Sequence, residues 1–589
     1  TATSSQVADE AITAVIGTAG TSTEGTDYAT VANITIAAGA TTGTATFDPT
    51  ADTIHENSET AIITITSVSG AASAKGTTVA VTITINEHNL NTGTTLTYNE
   101  SNANTLKATT EFKNFNYGNN VNTNPNPLEV INAHKAHGYG LTGDGTIIAV
   151  MDSGINVNHA EFSAKTITSF GTLSTATNSN SHGTTVMGVA AGEDDNNNTT
   201  QGVAPEADLH VSSFDQKGSY TYHSDHWAAA TAHANTAVVQ NNSWGINYQV
   251  DTLKSDISSN GWSNDHGVAQ KWNSSGYTAN AASATAYITA LNNFQDHGVI
   301  VYALSNTSSF SDADFQAALP ELFSQLNEAW ITAVNVEITG SLGSETYTRK
   351  SAPCGSTGSY CLGGDGFQVS GAKGAQNGTS SYWETNYSGT SFVAPQISGA
   401  VALLSEAFPS HTPAQITDRL LASADNTFFN HDAVVTFGNG VSHGYDDEFG
   451  HGILDIYAAL QPITSSSDNR SMSLYTGDSI NDNSSFQFDN SRLLTSSSFG
   501  DSLQRGLISE VGYAYDDLDG GFKYDLSSHV NAFNKGAASI SLSSELNSLS
   551  NSLNTSLIPN HNDNFNQIAG NFSISDDLNA SMTLGASSI

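Results

Sequence analysis

A chain of 589 residues is too long for one compact core, and a usual domain size of roughly 150 residues predicts three or four domains. Its 17 basic residues against 56 acidic ones leave a net charge of −39, which argues against nucleic acid and anionic lipid as partners. Only 12% of the residues are charged, and Ser, Thr, Asn and Gly replace them, as is common in extracellular β-rich proteins.

The N-terminal part of the chain predicts a small all-β domain followed by a linker. β-Branched residues, often in alternation, mark strands at 31–36, 42–47, 60–65 and 79–85. Gly, Asp and Asn turns separate these strands, so residues 1–89 predict an antiparallel β-sandwich. Residues 90–128 are Asn- and Thr-rich, end in Asn-Pro-Asn-Pro and predict a linker.

Residues 23–28, 38–40 and 55–60 resemble a Calx-beta domain, a family in which clustered acidic side chains can bind calcium. The candidate ligands that this resemblance implies are Asp27, Glu56 and Glu59. The stretch that usually closes the repeat with several acids carries only Glu87 here, whereas Ca²⁺ takes six to eight oxygen ligands. Two alternatives stay open, a calcium-binding repeat and a plain spacer or adhesive module.

From residue 129 to residue 465 the pattern changes to alternating strands and helices. The continuous apolar runs at 146–151 and 299–304 are typical of buried parallel strands. Helical stretches such as 394–407 lie between and after such runs. The alternation predicts an α/β domain, a mostly parallel sheet flanked by helices.

Three short segments of this domain carry residues suited to nucleophilic catalysis. Asp152 follows a buried strand in Val-Met-Asp-Ser-Gly-Ile, at the end of the strand where sites assemble in open α/β sheets. His182 starts a helix of small residues in Ser-His-Gly-Thr-Thr-Val. Ser391 heads another helix in Ser-Gly-Thr-Ser-Phe-Val-Ala-Pro. A serine hydroxyl needs an adjacent base, and the base needs an orienting group.

In the order Asp, His, Ser, these segments resemble the signature segments of the subtilisin-like serine proteases. Residues 140–145, 202–207 and a closing helix at 449–456 fit the framework of that family, so the resemblance spans 129–465. It implies a subtilisin-like fold and endopeptidase activity on protein or peptide substrates. No cofactor is required for that chemistry, although the family often binds structural calcium.

The resemblance also implies a role for each residue. Ser391 attacks the peptide bond and forms a covalent acyl-enzyme, His182 acts as its base and Asp152 orients the imidazole. Asn306 follows a core strand, where the family has its second oxyanion donor. Ser305 stands where a glycine commonly precedes that asparagine, which leaves the path of the loop open.

The segment Ser243, Trp244 and Gly245 matches the edge that lines the specificity pocket in the same family. An extended peptide would add to this edge as a further strand, through main-chain hydrogen bonds that do not depend on its sequence. Trp244 has two interpretations, the wall of an apolar subsite and a structural tryptophan. The resemblance thus implies an endopeptidase of broad specificity.

Six residues separate Cys354 from Cys361, the two cysteines of the chain. Their even number, their close spacing and the composition favour a disulfide and an oxidising compartment. The alternative is a pair of free thiols in a cytosolic protein. No His or third Cys nearby completes a four-ligand metal site.

Residues 466–589 return to Ser/Asn-rich sequence and predict a partly β tail. Within it, residues 514–526 resemble the segment that follows the protease domain in self-exporting bacterial surface subtilases, the autotransporters. That resemblance implies outer-membrane anchoring through a C-terminal region absent from this chain. Because the chain starts at Thr1 without a signal peptide and stops abruptly at Ile589, we expect a fragment without its export signal.

The leading hypothesis is therefore a secreted or cell-surface serine endopeptidase of a bacterium. The alternative is a surface adhesin or scaffold with a degenerate protease domain, and a third hypothesis is a dedicated protease that processes neighbouring surface proteins. The sequence leaves open the natural substrate and the residue preferred at P1, the substrate position whose carbonyl is attacked.

Overall fold

The computed structural model describes most of the first 465 residues and short stretches beyond them. The described ranges are 2–47 without 21, 23 and 25–27, 59–85 without 71–73 and 77–79, 98–116, and 124–465 without 178, 196–199 and 375–382. Beyond these, the described ranges are 471–474, 485–487, 493–495, 511–525, 530–532, 567–575 and 578–585. The chain forms two compact units, Thr1–Phe437 with Ser442–Gln461, and Gly438–Val441 with Pro462–Ile589.

All elements described before residue 90 are strands. They are β1 (Ala2–Thr3), β2 (Ile12–Gly20), β3 (Ile34–Ile36), β4 (Thr42–Gly43), β5 (Glu59–Ser69) and β6 (Val81–Ile85). Four of them form an antiparallel sheet in the order β3-β2-β5-β6, and β1 pairs with β4. Alternate residues of β2 and β3, namely Ile12, Ala14, Ile34 and Ile36, are buried on one face.

The Calx-beta resemblance and the calcium candidates stay predictions. Asp27 and Glu56 lie outside the described residues, and only the backbone of Glu59, the first residue of β5, is described. Within the described part of the chain, no group of three or more His, Cys, Asp or Glu side chains is arranged to hold a metal ion.

Part of the segment predicted as a linker is helical. Helix α1 spans Glu100–Lys107 and helix α2 spans Thr110–Asn114. The Asn99 side chain caps α1 and the Thr109 side chain caps α2, each by accepting backbone N–H groups of the first turn. Phe112 is buried. Helices this short show too few turns for a hydrophobic period, and the caps and tertiary burial hold them in place.

A mixed sheet of eight strands lies at the centre of the following region. Its strands are β7 (Ile147–Met151), β8 (Ile167–Ser169), β9 (Asp208–Ser212), β10 (Val239–Asn242), β11 (Val299–Ala303), β12 (Trp330–Ser341), β13 (Ser344–Arg349) and β14 (Cys361–Gly364). Their order is β13-β12-β11-β10-β7-β9-β8, and β14 also pairs with β12. Every pairing is parallel except that of β12 with β13. The predicted α/β architecture is confirmed here.

Helices alternate with these strands along the chain. They are α3 (Pro127–Val130), α4 (Ala133–Gly138), α5 (His182–Ala191), α6 (His223–His233), α7 (Val250–Asn260), α8 (Asn264–Ser274), α9 (Ala281–Phe294), α10 (Ala394–Ala407), α11 (Pro413–Ala422) and α12 (Ile456–Ala459). In the described part of the chain, no helix combines the length and the apolar character that crossing a bilayer requires.

Both faces of the sheet are buried. On one face Met151 of β7 and Tyr302 of β11 join a cluster that contains Trp227 of α6. Ile148 and Val150, which alternate with Met151 along β7 and so point to the other face, are fully buried too. Helices α5 and α10 pack against β7. A sheet covered on both sides in this way leaves its strand ends as the place for a site.

The two cysteines form the predicted disulfide, with their Cα atoms 6.0 Å apart. The remaining strands of this unit form two antiparallel pairs, β15 (Val369–Ala372) with β16 (Trp383–Tyr387), and β17 (Ala433–Thr436) with β18 (Ser442–Tyr445).

The sequence predicts a closing helix over residues 449–456, and this prediction is wrong for most of its length. The helix in the structure, α12, begins only at Ile456. Gly450 and Gly452 adopt φ angles of 63° and 103°. The Asp455 side chain then caps α12 by accepting the Ala458 N–H. Positive φ angles are incompatible with a right-handed helix, so the two glycines keep this stretch out of one.

The second unit contains strands beyond residue 465. They are β19 (Ser471–Leu474), β20 (Ser485–Gln487), β21 (Leu493–Thr495), β22 (Val511–Tyr515), β23 (Gly521–Asp525), β24 (Val530–Ala532), β25 (Gln567–Ser575) and β26 (Leu578–Gly585). β22 and β23 form a hairpin that overlaps the segment 514–526, which resembles the autotransporter family. Asp516 accepts the N–H groups of Leu518 and Gly520 at the turn of this hairpin. The resemblance itself stays a prediction.

Candidate active site

Polar side chains follow three neighbouring strands of the central sheet where those strands end. Asp152 comes directly after β7, Ser243 directly after β10, and Asn306 shortly after β11. β10 pairs in parallel with both β7 and β11, so the three carboxyl ends meet at one edge of the sheet. This edge is where open α/β folds assemble their sites.

Asp152 is fully buried at this edge and orients a histidine. Its Oδ1 accepts the Ser153 N–H at 2.7 Å and lies 2.7 Å from Nδ1 of His182. Its Oδ2 is buried and has no hydrogen-bond partner among the described residues. A carboxylate can only accept, so Nδ1 of His182 carries the hydrogen and Nε2 is left free to accept a proton.

The first turn of α5 holds His182 against this carboxylate. The N–H of Gly183 donates to the Ser153 carbonyl at 2.7 Å, and Thr184 Oγ1 donates to the Gly154 carbonyl at 2.9 Å. A Cβ added at Gly183 would lie 3.0 Å from Cβ of Asp152 and 2.9 Å from the Ser153 carbonyl oxygen. The absence of a side chain at this position therefore lets the helix approach the turn that follows β7.

The environment of His182 changes its pKa in two opposite directions. Burial disfavours the imidazolium, whereas the charge of Asp152 and its hydrogen bond favour it. The two contributions of Asp152 together outweigh burial and raise the pKa of His182 above its usual value of 6.5. The imidazole is thus a stronger base than a free histidine.

Ser391 lies in a 3-10 turn, Thr390–Phe392, that leads into α10. Its Oγ donates to the Ser243 carbonyl at 3.3 Å, and Ser243 Oγ donates to the Ser391 carbonyl at 3.0 Å. This reciprocal pair fixes the turn on the end of β10. The Phe392 ring lies 5.8 Å from the His182 ring, between centroids.

The structure thus brings Asp152 and His182 into contact but leaves the hydroxyl turned away. In the described part of the chain no hydrogen bond joins Ser391 to His182, because Ser391 Oγ points to the Ser243 carbonyl. A serine hydroxyl changes direction by rotation about its Cα–Cβ bond, and such contacts are often formed only when substrate binds.

Asn306 is exposed beside the Ser391 turn. Its Oδ1 accepts the Thr390 N–H at 3.0 Å and Thr390 Oγ1 at 3.2 Å, which leaves the Nδ2 hydrogens free to donate. Gly389 has a φ of 153°, and a Cβ there would lie 3.0 Å from Asn306 Oδ1. Only a glycine leaves room for Asn306 at this distance.

The backbone at Ser305, where the family commonly has a glycine, follows an ordinary path. It does not adopt a positive φ, so the backbone here does not need a glycine. Its N–H donates to Asp314 Oδ2 at 2.6 Å, its Oγ donates to Asn247 Oδ1 at 2.7 Å, and the same Oγ accepts the Thr307 N–H at 3.1 Å. Side-chain hydrogen bonds hold the loop that carries Asn306.

A cavity of about 110 Å³ opens beside Ser391. Its lining residues are 243–247, 303–306, Asp314, Thr390 and Ser391. Trp244 belongs to the wall, but its ring stacks on Phe214 at 4.7 Å and is 6% exposed. Trp244 therefore both lines the cavity and packs in the core, and its two interpretations stay open. The lining residues that the sequence did not indicate include Asp314, Ile246 and Asn247. No motif marks those three, since they reach the cavity through the path of two loops.

The arrangement suits acyl transfer. It combines an oriented imidazole, a hydroxyl at the start of a helix and an amide donor beside it. A cavity adjoins the hydroxyl.

Comparison with known proteins adds to this geometry. Residues 143–452, about half of the chain, match the model of the subtilase family. The chain is 27% identical over 351 residues to an extracellular serine protease of Serratia marcescens, covering 51% of this chain and 32% of that protein. It is 25% identical over 347 residues to subtilisin E of Bacillus subtilis, covering 57% of this chain and 71% of that protein.

Fervidolysin of Fervidobacterium pennivorans is 27% identical over 363 residues, covering 59% of this chain and 45% of that protein. The crystal structure of fervidolysin, described as a keratinolytic enzyme related to subtilisin, is similar with a TM-score of 0.41 at 21% identity, covering 59% of this chain and 46% of that chain. The chain thus spans about a third of the Serratia protease and less than half of fervidolysin.

Proposed function

Because this chain belongs to the subtilase family, we propose that it is a secreted serine endopeptidase with Ser391, His182 and Asp152 as its catalytic triad. The observation that carries the proposal is the 2.7 Å contact between Asp152 Oδ1 and His182 Nδ1 at the strand edge where the Ser391 turn is anchored. Asp152 and His182 are thirty residues apart in the sequence, and Ser391 lies much further along the chain.

In the acylation step, Ser391 Oγ turns from the Ser243 carbonyl toward His182. Nε2 of His182 takes the hydroxyl proton as Oγ bonds to the carbonyl carbon of the substrate. Asp152 keeps the Nδ1–H tautomer and stabilises the imidazolium that forms. When the tetrahedral intermediate collapses, Nε2 returns the proton to the amide nitrogen, the C–N bond breaks and an acyl-Ser391 ester remains.

Two donors face the negative charge that develops on the carbonyl oxygen. We assign them as Asn306 Nδ2 and the backbone N–H of Ser391, which lies at the start of a helical turn with its positive dipole end. Water then replaces the amine: His182 takes a proton from the water, the hydroxide attacks the ester carbon, and Ser391 Oγ leaves with the proton that His182 gives back.

The substrate would bind in extended form along residues 243–245. This segment continues β10 and borders the cavity beside Ser391. Main-chain pairing along such an edge holds a peptide of any sequence, and the cavity receives the P1 side chain. The reaction itself needs no metal or cofactor.

An active-site probe tests this proposal. A fluorophosphonate should label the purified chain, and mass spectrometry should find the adduct on the peptide that contains Ser391. The same preparation should hydrolyse casein. A protein that is neither labelled nor active would support the alternative, a surface adhesin with a degenerate protease domain.

The pH dependence of kcat/KM should show an acid limb above pH 6.5. Asp152 raises the pKa of His182 above that value in spite of burial, and an imidazolium has no lone pair to take the Ser391 proton. Activity is therefore present above the pKa of His182 and is lost as the pH falls through it. A pH series with a peptide carrying Leu at P1 measures this limb, and a rate that stays constant down to about pH 5 would contradict the assignment of the base.

Replacing Asn306 with leucine should lower kcat by about 10²–10³-fold, the loss that removal of the corresponding donor has in a subtilisin. KM should stay within a few-fold, because Nδ2 stabilises charge that exists only in the transition state. Steady-state kinetics of the variant measure both constants. Thr307→Ala, in the same loop, is the control that should keep near-normal kcat. A rise in KM with unchanged kcat would instead place Asn306 in ground-state binding.

We propose that the enzyme acts outside the cell. The disulfide, the short polar surface side chains and the similarity to an extracellular serine protease support this location. The bacterial cell surface, outer-membrane anchoring of the autotransporter type and a Calx-beta arm remain the finer proposals made from the sequence.

A further inference from the structure

A buried carboxyl group lies in the wall of the cavity beside the nucleophile. Asp314 belongs to the loop that follows Asn306 and is 1% exposed, and it lines the same cavity as Ser391 and Gly245. A Cβ added at Gly245 would lie 3.4 Å from Asp314 Oδ1, so the missing side chain of Gly245 leaves this oxygen facing the substrate edge. Nothing in the proposed catalytic steps uses Asp314.

The partners of Asp314 are neutral. Its Oδ2 accepts the Ser305 N–H at 2.6 Å, and its Oδ1 accepts the Ala317 N–H at 3.3 Å. Among the ion pairs of the described residues none includes Asp314. Buried charges in proteins are usually paired, and this carboxylate has no cationic partner in the part of the chain that the structure describes.

The titratable side chain that faces Asp314 from the sheet is Tyr302 of β11, which hydrogen-bonds to Tyr287 and Gln316. Burial raises the pKa of Tyr302 and keeps its hydroxyl neutral. Burial also raises the pKa of Asp314 to about 7, against backbone N–H groups that favour the anion. A cationic group entering the cavity would supply the missing counter-charge.

Resting on the function proposed above, we infer that Asp314 is a specificity-determining residue that selects a lysine or arginine side chain at P1. The cavity of about 110 Å³ is lined by Asp314 as well as by residues 243–245. It adjoins Ser391, as a P1 site must. The net charge of −39 also raises the local concentration of basic peptides.

The expected effect follows from charge-assisted hydrogen bonding. A hydrogen bond to a charged partner discriminates by about 10–100-fold against an uncharged side chain of similar size. An acidic P1 residue should be disfavoured further by repulsion. Arginine and lysine should both be accepted, since each carries a terminal cation on a long apolar stem.

The experiment uses the whole chain and peptides that differ only at P1, carrying Lys, Arg, Leu or Glu. The wild type should show a kcat/KM for Lys and Arg about 10–100-fold above that for Leu. Asp314→Asn should bring this ratio close to one. The ratio and not the absolute rate is the readout, because the amide oxygen can still accept the Ser305 N–H but the NH₂ group cannot accept the Ala317 N–H. Asp312→Asn is the matched control: its Oδ1 accepts the Ala313 and Ser356 N–H groups outside the cavity lining, and the ratio should persist.

A second readout is the pH dependence of the ratio. Asp314 is anionic above its pKa and neutral below it, so the Lys-to-Leu ratio in the wild type should rise between about pH 6 and pH 8, while a merely structural Asp314 would leave it constant.

A wild type that cleaves the Leu peptide as well as the Lys peptide overturns the inference and leaves the proposed function intact. Equal losses on all four peptides in Asp314→Asn also overturn it, since they would reduce Asp314 to a support for the Asn306 loop. A wild type that cleaves none of the peptides contradicts the proposed function and this inference with it.

Discussion

Replacing Ser391 with alanine is expected to lower kcat for peptide hydrolysis by about 10⁴–10⁶-fold, the range that loss of a triad residue spans in a subtilisin. The substitution removes the only atom that bonds to the substrate and leaves the turn in place. The Ser243 hydroxyl donates to the Ser391 carbonyl, which alanine retains. The Asp152–His182 contact also stays. Steady-state kinetics with a peptide substrate, together with fluorophosphonate labelling, measure the loss.

The matched control is Ser388→Ala, three residues earlier in the same loop. Ser388 is exposed, and its Oγ accepts the Gln368 N–H. This variant should be labelled like the wild type and keep kcat within a few-fold, whereas Ser391→Ala should not be labelled. The residual rate of Ser391→Ala should stay above the uncatalysed rate, because the Asn306 donor and substrate binding remain. Persistent labelling of Ser391→Ala would show that the nucleophile is another residue.

The orientation of the Ser391 hydroxyl bears on the same experiment. Oγ donates to the Ser243 carbonyl, so the attack requires a rotation that substrate binding must favour. A substrate paired along residues 243–245 would place its carbonyl next to Oγ and compete for that hydrogen bond. In the structure the carboxylate of Asp152 contacts the imidazole of His182, while the Ser391 hydroxyl donates to the Ser243 carbonyl.

Much of the central fold could be predicted because its strands are short, apolar and buried on both faces. The predicted runs at 146–151 and 299–304 correspond to β7 and β11 within one residue at each end. Because parallel strands end at a common edge, the position of Asp152 directly after a strand indicated a site there, whereas Asn306 was predicted from the family resemblance. The disulfide was predictable for a different reason, since six residues limit how far apart two cysteines can lie.

Features that depend on tertiary contacts were not predictable. The helices α1 and α2 are too short to show a period, and their caps and buried apolar residues stabilise them. Asp314 lies in a loop without a repeating pattern, and only the folded path of that loop brings its carboxyl group to Ser305. The family resemblance predicted a helix over the closing segment 449–455. The positive φ angles of Gly450 and Gly452, which exclude a helix there, become visible only in the structure.

Replacing Asp152 with asparagine should lower kcat by about 10⁴-fold, the scale that loss of the triad carboxylate has in serine proteases. Oδ1 of Asp152 accepts from both His182 and Ser153, and Oδ2 is buried with no hydrogen-bond partner among the described residues. The side-chain amide of an asparagine at this position satisfies these contacts in neither of its two orientations. With its oxygen in the place of Oδ1, its NH₂ group is buried without an acceptor, and with its NH₂ group there, His182 must carry its hydrogen on Nε2, the nitrogen that has to accept the Ser391 proton.

The same substitution should move the acid limb of the pH profile to lower pH, because Asp152 is what raises the pKa of His182 above 6.5 and burial alone lowers it. The pH series with the Leu peptide measures this shift at the residual rate. Asp208→Asn is the matched control, since Asp208 begins β9 and its Oδ1 accepts the Thr166 N–H, a bond that an amide oxygen can keep. A variant at position 152 that kept most of its activity, or that lost activity with the acid limb unmoved, would show that the short contact to His182 serves the fold rather than the reaction.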